Sequence, residues 1–276
     1  MGKMKLFTLA IVQARMASTR LPGKVLLYIS GKPMLAHVVS RVSRAKAVDR
    51  VLVATTTSSD DDAIVRMCLE WGFAYFRGSM QDVLDRYYQA AAQFGADIVV
   101  RLTADCPIID PSIIDETVYA LFGGKDNWRE SADMNLSDPQ RYMPDSPSYD
   151  FTANRLPPPW HRTYPIGLDV EACTFQALER AWKEADQPHQ REHVMPYLYE
   201  VEGRFRVKVI DHDPDYGNLR WTVDTKEDLQ VVRQIFARFP GRDDFTWLEV
   251  LELFQKEPQL ALLNQQVRHK DYREVQ

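Results

Sequence analysis

The chain opens on a short apolar run, Leu6-Phe-Thr-Leu-Ala-Ile-Val-Gln13, closed by polar and Gly/Pro-containing sequence, and this pattern predicts a buried strand. A loop, Ala14 to Lys24, follows. Pro33 then suits the first position of a helix whose apolar stripe is Leu35, Val38, Val39 and Val42. Arg50 to Thr55 predicts a second strand. Ser59 is placed to cap a helix that carries Asp60, Asp61 and Asp62 in its first turn, at the positive end of the helix dipole, with Ile64, Met67, Cys68 and Trp71 turned inward. Phe73 to Phe76 reads as a third strand, Met80 to Phe94 as a helix, and Asp97 to Thr103 as a fourth strand. Strands alternating with helices in this way imply βαβ units and an α/β fold: a three-layer, mainly parallel sheet. Such sheets take ligands at the carboxyl ends of their strands, which directs attention to the loops after Gln13 and Thr103.

The pattern changes between Gly123 and Arg162, where prolines sit among polar and aromatic residues with little periodicity; an insertion or lid is expected there. Regular structure is expected to resume with a strand at Tyr164–Ala172, a helix at Phe175–Ala185, strands at Phe205–Ile210 and Leu219–Val223, and a helix from Lys226 to Phe239. Helices near Trp247–Phe254 and Leu260–Val267 and a charged tail after Arg268 complete the chain. The expected organisation is a main domain over residues 1–240 and a helical extension over 241–276.

Composition narrows the class. A chain of 276 residues with 45% apolar and 26% charged side chains has the makings of a folded soluble domain, not of a disordered or fibrous one. Three cysteines without Cys-x-x-Cys spacing exclude a disulfide framework and a four-thiolate zinc site, and suit a reducing, cytoplasmic setting. No apolar run approaches the roughly 20 residues that cross a bilayer, and Leu6 stands where N-myristoylation would need Ser or Thr. Neither membrane association nor nucleic-acid binding is expected, since the net charge is -5. The charge is unevenly spread, however: the first acidic residue is Asp49, and every charged residue before it is Lys or Arg. A small polyanion such as a nucleoside triphosphate suits that segment better than duplex DNA.

The cationic residues concentrate in the loop after the first strand, Ala14-Arg-Met-Ala-Ser-Thr-Arg-Leu-Pro-Gly-Lys24. Arg15 and Arg20 offer forked donors matched to phosphate oxygens, Lys24 a mobile point charge, Ser18 a hydroxyl, and Gly23 room for backbone amides to approach an anion. The loop is not a Walker A motif, because Val25 follows Lys24, and no Gly-x-Gly-x-x-Gly is present. Asp105 follows the fourth strand and could either hold Mg²⁺ against phosphates or close a turn before Pro107. Asp110 reads as a helix cap before Pro111. Asp224 ends another predicted strand; Thr225 and Asp228 resemble a capping box, which leaves Asp224 available as a second metal ligand. His189 and His193 lack the third ligand and the His-Glu-x-x-His order of a zinc site. Asp211-His-Asp213 imitates the Asp-x-Asp of nucleotide-sugar glycosyltransferases, although Pro214, Asp215 and Gly217 beside it are ordinary turn residues.

Together, Val12-Gln-Ala-Arg-Met-Ala-Ser-Thr-Arg-Leu-Pro-Gly-Lys24, Gly31-Lys-Pro-Met-Leu35, Thr103-Ala-Asp-Cys-Pro107 and Trp221-Thr-Val-Asp-Thr-Lys-Glu-Asp-Leu229 resemble the cytidylyltransferase family of CMP-sugar-acid synthetases, nearest to its spore-coat polysaccharide branch. The matches keep their order from about residue 8 to 236. The resemblance implies a Rossmann-like nucleotidyltransferase sheet, with CTP as nucleotide and Mg²⁺ as cofactor. It implies that Arg15, Ser18, Arg20 and Lys24 hold the triphosphate, with Lys24 near the α-phosphate, that Ala14 and Gly23 also belong to the nucleotide site, that Thr103 lies near the cytidine, and that Asp105 and Asp224 coordinate the metal. Arg15, Lys24, Asp105 and Asp224 would be the catalytic set. Arg162, Tyr164, Asp169, Glu171, Arg191, Glu192 and His193 would face an anionic acceptor, and a homodimer is expected. Two departures stand out: Ala104 replaces the Gly usual before the aspartate, and Gly123–Trp160 is longer than its counterpart in the branch. A nucleotide-sugar glycosyltransferase and a non-catalytic nucleotide-binding module are the alternative readings.

Overall fold

A computed structural model describes residues 6–123, 146–157 and 162–268. Its centre is a seven-stranded sheet built from β1 (Thr8–Gln13), β4 (Arg50–Thr56), β5 (Tyr75–Gly78), β6 (Ile98–Thr103), β7 (Phe151–Ala153), β8 (Glu171–Thr174) and β9 (Val207–Val209), in the order β5-β4-β1-β6-β8-β7-β9. A separate two-stranded ribbon, β2 (Tyr28–Ile29) and β3 (Lys32–Pro33), follows the cationic loop. Strands β5, β4, β1 and β6 are parallel, while β8 runs antiparallel to β6 and β7. The expected mainly parallel α/β sheet is present.

Burial on both faces explains why β1 is apolar almost throughout. Leu9 and Ile11 enter one buried cluster and Ala10 and Val12 the other, as side chains alternate across the sheet. Helices α1 (Met34–Val42), α2 (Asp62–Trp71) and α4 (Pro111–Ala120) cover the Ala10 face. Helices α3 (Val83–Phe94) and α5 (Phe175–Glu184) cover the Leu9 face, the short α6 (Pro188–His193) packs against α3, and α7 (Pro196–Tyr199) completes the covering. The chain then forms α8 (Lys226–Arg238), α9 (Trp247–Lys256) and α10 (Gln259–Leu262).

Residues beyond 240 share the first core: Phe245, Val250 and Phe254 pack into the cluster that holds α1 and α4. Arg41, 1% exposed, ties them in by donating to the carbonyls of Ile109 at 2.7 Å, Asp243 at 2.5 Å and Phe245 at 2.7 Å. Burying a guanidinium is tolerable here because its donors are met by carbonyl oxygens.

Several expected elements differ. Pro33 ends β3, so α1 begins at Met34. Ser58, not Ser59, supplies the cap, accepting from the Asp60 amide of a 3-10 turn (Ser59–Asp61) before α2. Trp71 lies at the helix end, 38% exposed, against Phe73. The predicted strand Tyr164–Ala172 is irregular until Glu171, and Leu219–Val223 reduces to a single bridge between Arg220 and Ile166. Between Phe205 and Ile210 only Val207–Val209 is strand, and Leu260–Val267 keeps one helical turn, α10. Residues 124–145 and 158–161 of the expected insertion lie outside the described residues. Its described part holds β7, an interior strand that three residues among prolines did not disclose.

Candidate active site

Strand order reverses at β1, whose neighbours are β4 and β6, and a cleft opens beyond the carboxyl ends of β1 and β6. It encloses about 220 Å³, and its lining includes Arg15, Ser18, Arg20, Lys24, Asp105 and Asp224. The cationic loop reaches it because β1 delivers Ala14 directly to the rim. Gly23, at φ 67°, takes the left-handed conformation that starts the 3-10 turn Lys24–Leu26. Its amide donates to the Met16 carbonyl at 3.0 Å, so this glycine shapes the loop and presents no N–H to an anion.

Lys24 is the hub. Its Nζ donates to Asp105 Oδ2 at 2.7 Å, to Asp224 Oδ1 at 2.8 Å and to the Val223 carbonyl at 2.8 Å. Burial alone would lower the lysine pKa, but the two carboxylates outweigh it and raise it. Asp224 is also held by Arg20 Nη2 at 2.8 Å and Arg220 Nη2 at 2.7 Å. Its burial favours the neutral acid, yet Lys24, Arg20 and Arg220 together hold its carboxyl below the usual range. The segments meet through the backbone as well, since the Val223 amide donates to the Asp105 carbonyl at 2.8 Å. Thr103 Oγ1 donates to Asp105 Oδ1 at 2.6 Å, which orients that carboxylate.

Asp224 therefore reaches the cleft from an irregular stretch, where a strand end was expected. The start of α8 fixes it: Thr225 and Asp228 form the expected capping box. Asp228, fully buried, accepts from Arg220 Nε at 2.8 Å, from the Asp224 amide at 3.0 Å and from Asn264 Nδ2 at 2.8 Å. Asp110 caps α4, accepting from the Ser112 amide at 2.8 Å, and adds an unforeseen bond to the Trp247 amide at 2.7 Å.

The donor chemistry of Asp105 and Asp224 fits a hard cation, and the Lys24 ammonium shows that the two carboxylates converge on one positive charge. Among the described residues no group of three or more His, Cys, Asp or Glu side chains is arranged for a metal. Two carboxylates suffice for Mg²⁺, which keeps several waters and draws further oxygens from substrate phosphates.

The residues expected at the acceptor end divide. Glu192 and His193 line the cleft. Burial, with the charge of Arg101 next in weight, pushes the His193 pKa down to about 4, so its ring is neutral at pH 7. Arg191 instead binds Asp82 and the Trp182 carbonyl. Arg162 pairs with Asp169 at 2.5 Å, and Tyr164, 2% exposed, donates to Glu116 at 3.1 Å. Glu171 is buried opposite Arg101 in the β6/β8 register and ion-paired with it. None of these last five lines the cleft. Ala104 does, with its amide donating to the Gln13 carbonyl at 3.1 Å. Of the Asp211-His-Asp213 segment, His212 packs among Tyr164, Tyr216 and Trp247, and Asp211 and Asp213 lie outside the cleft lining. Gln13, Val83 and Arg86 line the cleft although sequence reasoning passed over them. Arg86 carried no signal beyond its place in a helix.

A family model described as cytidylyltransferase matches residues 9–270. The spore coat polysaccharide biosynthesis protein SpsF of Bacillus subtilis is 30% identical over 263 residues, covering 92% of this chain and 96% of its own. A 3-deoxy-manno-octulosonate cytidylyltransferase of Anaeromyxobacter dehalogenans is 32% identical over 241 residues, covering 82% and 96%. Among solved structures, a cytidylyltransferase from Leptospira borgpetersenii superposes with a TM-score of 0.78 at 29% identity, covering 96% of this chain and all of its own.

Proposed function

The chain belongs to the cytidylyltransferase family of nucleotidyltransferases, and from that premise we propose that it transfers CMP from CTP to an anionic hydroxyl-bearing acceptor, with Mg²⁺ as cofactor and pyrophosphate as second product. The observation that carries the proposal is the meeting of Lys24, Asp105 and Asp224 at one point of the cleft, from three distant parts of the sequence.

In this reading Arg15, Ser18 and Arg20 hold the β- and γ-phosphates, and Lys24 meets a non-bridging oxygen of the α-phosphate. The acceptor oxygen attacks the α-phosphorus in line; a new P–O bond forms as the bond to the β-phosphate breaks. Little covalent chemistry falls to the protein, whose work is to align the partners and offset negative charge on the oxygens. Asp105 and Asp224 would hold Mg²⁺, which supplies charge neutralisation at the phosphates and lowers the pKa of an oxygen bound to it. Thr103 and Arg220 keep the two carboxylates oriented.

Glu192 and His193 are the acceptor-side residues this reading retains. Sugar acids of the ulosonic type are the first acceptors to try, followed by other hydroxy-acids and phosphonates. The name of the Anaeromyxobacter relative supports that order. Homodimer formation and a cytoplasmic setting, where its three buried free thiols would stay reduced, complete the proposal. The glycosyltransferase reading loses ground because its Asp213 lies outside the cleft lining.

The test compares CTP, UTP, ATP and GTP, each with Mg²⁺, by thermal shift, then screens acceptors for pyrophosphate release. At a ligand concentration about 100 times Kd, linkage adds roughly 2.7 kcal/mol. A shift confined to CTP, followed by pyrophosphate release with a sugar acid, is expected. Stabilisation by a sugar nucleotide and by no triphosphate would overturn the reading, and CTP binding without turnover on any acceptor would leave a binding module.

A further inference from the structure

Val194 follows α6 with φ 72° and ψ -56°, a left-handed conformation that a β-branched side chain adopts only at a cost. These are the angles of the rarer, strained form of γ-turn. The hydrogen bond that defines such a turn is present, since the Met195 amide donates to the His193 carbonyl at 2.9 Å. The turn is no surface loop. Val194 and Met195 are both fully buried, in the cluster that holds Leu9 and Ile11 of β1.

The sequence explains why the helix breaks here. Had α6 run on, the ring of Pro196 would meet the Glu192 carbonyl four residues back, with no N–H to offer it. Nor can the break slide along the chain. The Val194 amide makes the last helical bond, to the Gln190 carbonyl at 3.1 Å. Before it, Glu200 accepts from Gln190 Nε2 at 2.9 Å and pairs with His189 Nε2 at 2.7 Å, while Arg191 donates to Asp82 Oδ2 at 3.0 Å and to the Trp182 carbonyl at 2.7 Å. After it, the Leu198 amide donates to the Met195 carbonyl at 2.8 Å, and Tyr197, Leu198 and Tyr199 are buried. Two anchored helices meet at Val194, and the strain persists because its surroundings leave the chain no other path.

Glu192 and His193, the two residues just before the turn, are the ones through which α6 lines the cleft. We propose that Val194 is a positioning residue for the acceptor side: its isopropyl group, held in the core, clamps the strained turn that ends α6 and so fixes Glu192 and His193 in the cleft wall. The proposal rests on the acceptor role given to those two residues above. Val194 is outside the cleft lining and works through its neighbours. Glycine would adopt these angles freely but brings no side chain to hold them. Alanine keeps the backbone penalty and loses most of the anchor. Either replacement should let the turn relax and carry Glu192 and His193 out of place.

The ring of His193 reports on the turn. Burial, aided by Arg101, Arg155 and His189 and opposed by Glu192, pushes its pKa down to about 4, so in the wild type it should not titrate between about pH 5 and 8. NMR of nitrogen-labelled histidine rings, with His193→Gln to fix the assignment, follows it directly. Val194→Ala and Val194→Gly should each bring a titration toward 6.5 as the ring reaches water. Both should raise the KM for a ulosonic sugar acid several-fold while CTP affinity, read by calorimetry, stays unchanged. Val194→Ile keeps the anchor and should behave as the wild type. Leu198→Ala opens a cavity in the same cluster outside the turn, and should lower Tm with His193 still silent. Val194 variants that lower Tm but leave His193 silent would make Val194 mere core filling and overturn the proposal. So would a Leu198→Ala that exposes His193 equally, or a wild-type His193 that already titrates near 6.5. Should Val194→Gly not fold, Val194→Ala, the milder truncation, decides by the same signal. A wild type that releases no pyrophosphate with any sugar acid overturns the acceptor reading, and the His193 signal still decides whether Val194 holds the turn.

Discussion

Asp61 Oδ1 accepts the backbone N–H of Met16 at 2.7 Å, tying the cationic loop after β1 to the 3-10 turn after β4. Its other oxygen accepts from the Thr56 hydroxyl and, at 3.3 Å, from the Thr56 amide, and the residue is 2% exposed. The loop that carries Arg15 and Ser18 is thus braced by a carboxylate outside the cleft lining. Asp61→Ala leaves the Met16 amide unmet, at a cost of about 1–3 kcal/mol. Urea unfolding should register that loss, and the KM for CTP should rise several-fold with kcat less affected.

Asp105→Asn and Asp224→Asn should each lower kcat by about 100-fold or more, the scale seen when preorganised charge is removed from a reacting phosphoryl or acyl centre. Far-UV circular dichroism should stay native, because Arg220 remains paired with Asp228 when Asp224 is neutralised. Turnover at the wild-type level across a Mg²⁺ titration, in either variant, would remove the two aspartates from the metal site.

Two groups make the stability depend on pH in opposite senses. His193 has its pKa lowered from 6.5 to about 4 by burial, so the stability it contributes is complete above pH 6.5 and is lost as pH falls toward 4. His193→Gln should flatten the acid-side decline of Tm over that interval. Asp115 has its pKa raised from 3.8 to about 6, again by burial, although it accepts the Ala47 amide at 2.8 Å. Its ionisation costs stability as pH rises through about 6, a cost absent below 3.8. Asp115→Asn should therefore melt higher than the wild type at pH 8 and alongside it at pH 3.5, read from Tm against pH.

Asn264 is 5% exposed and donates to the Arg220 carbonyl at 3.1 Å and to Asp228 Oδ1 at 2.8 Å. A residue beyond α10 thereby steadies the arginine that holds Asp224. Asn264→Ala should cost about 1–3 kcal/mol and reduce activity, with Asn264→Asp worse because it sets a second carboxylate against Asp228. Chemical unfolding together with initial-rate assays separates the two effects.

The α/β alternation was legible from Leu6 to Thr103 because strands buried on both faces must be apolar and the helices between them must be amphipathic, whatever lies beyond. The cationic loop and the two aspartates were legible for a chemical reason: phosphate and Mg²⁺ admit few side chains, and those few stood in recognisable strings. The second half was harder to read. β7 is three residues long and owes its place to β8 and β9 on either side, while Leu219–Val223 has strand composition but meets its partners at a single bridge and through the Asp105 carbonyl.

What the sequence determined by itself is the fold class and the chemical character of the cleft, since both follow from local periodicity and residue type. Only the tertiary structure decided which charges face the cleft and which neutralise each other. Arg191, Arg162 and Glu171 have the composition of an acceptor site but are paired with Asp82, Asp169 and Arg101. Arg86, unremarkable in the sequence, and Gln13, given no role there, line the cleft, and Arg86 Nε and Gln13 Oε1 are buried without a hydrogen-bond partner among the described residues. The reason is physical: whether a charged side chain ends in the cleft or against an opposite charge elsewhere depends on how folding brings separate segments of the chain together, as with Arg191 and Asp82.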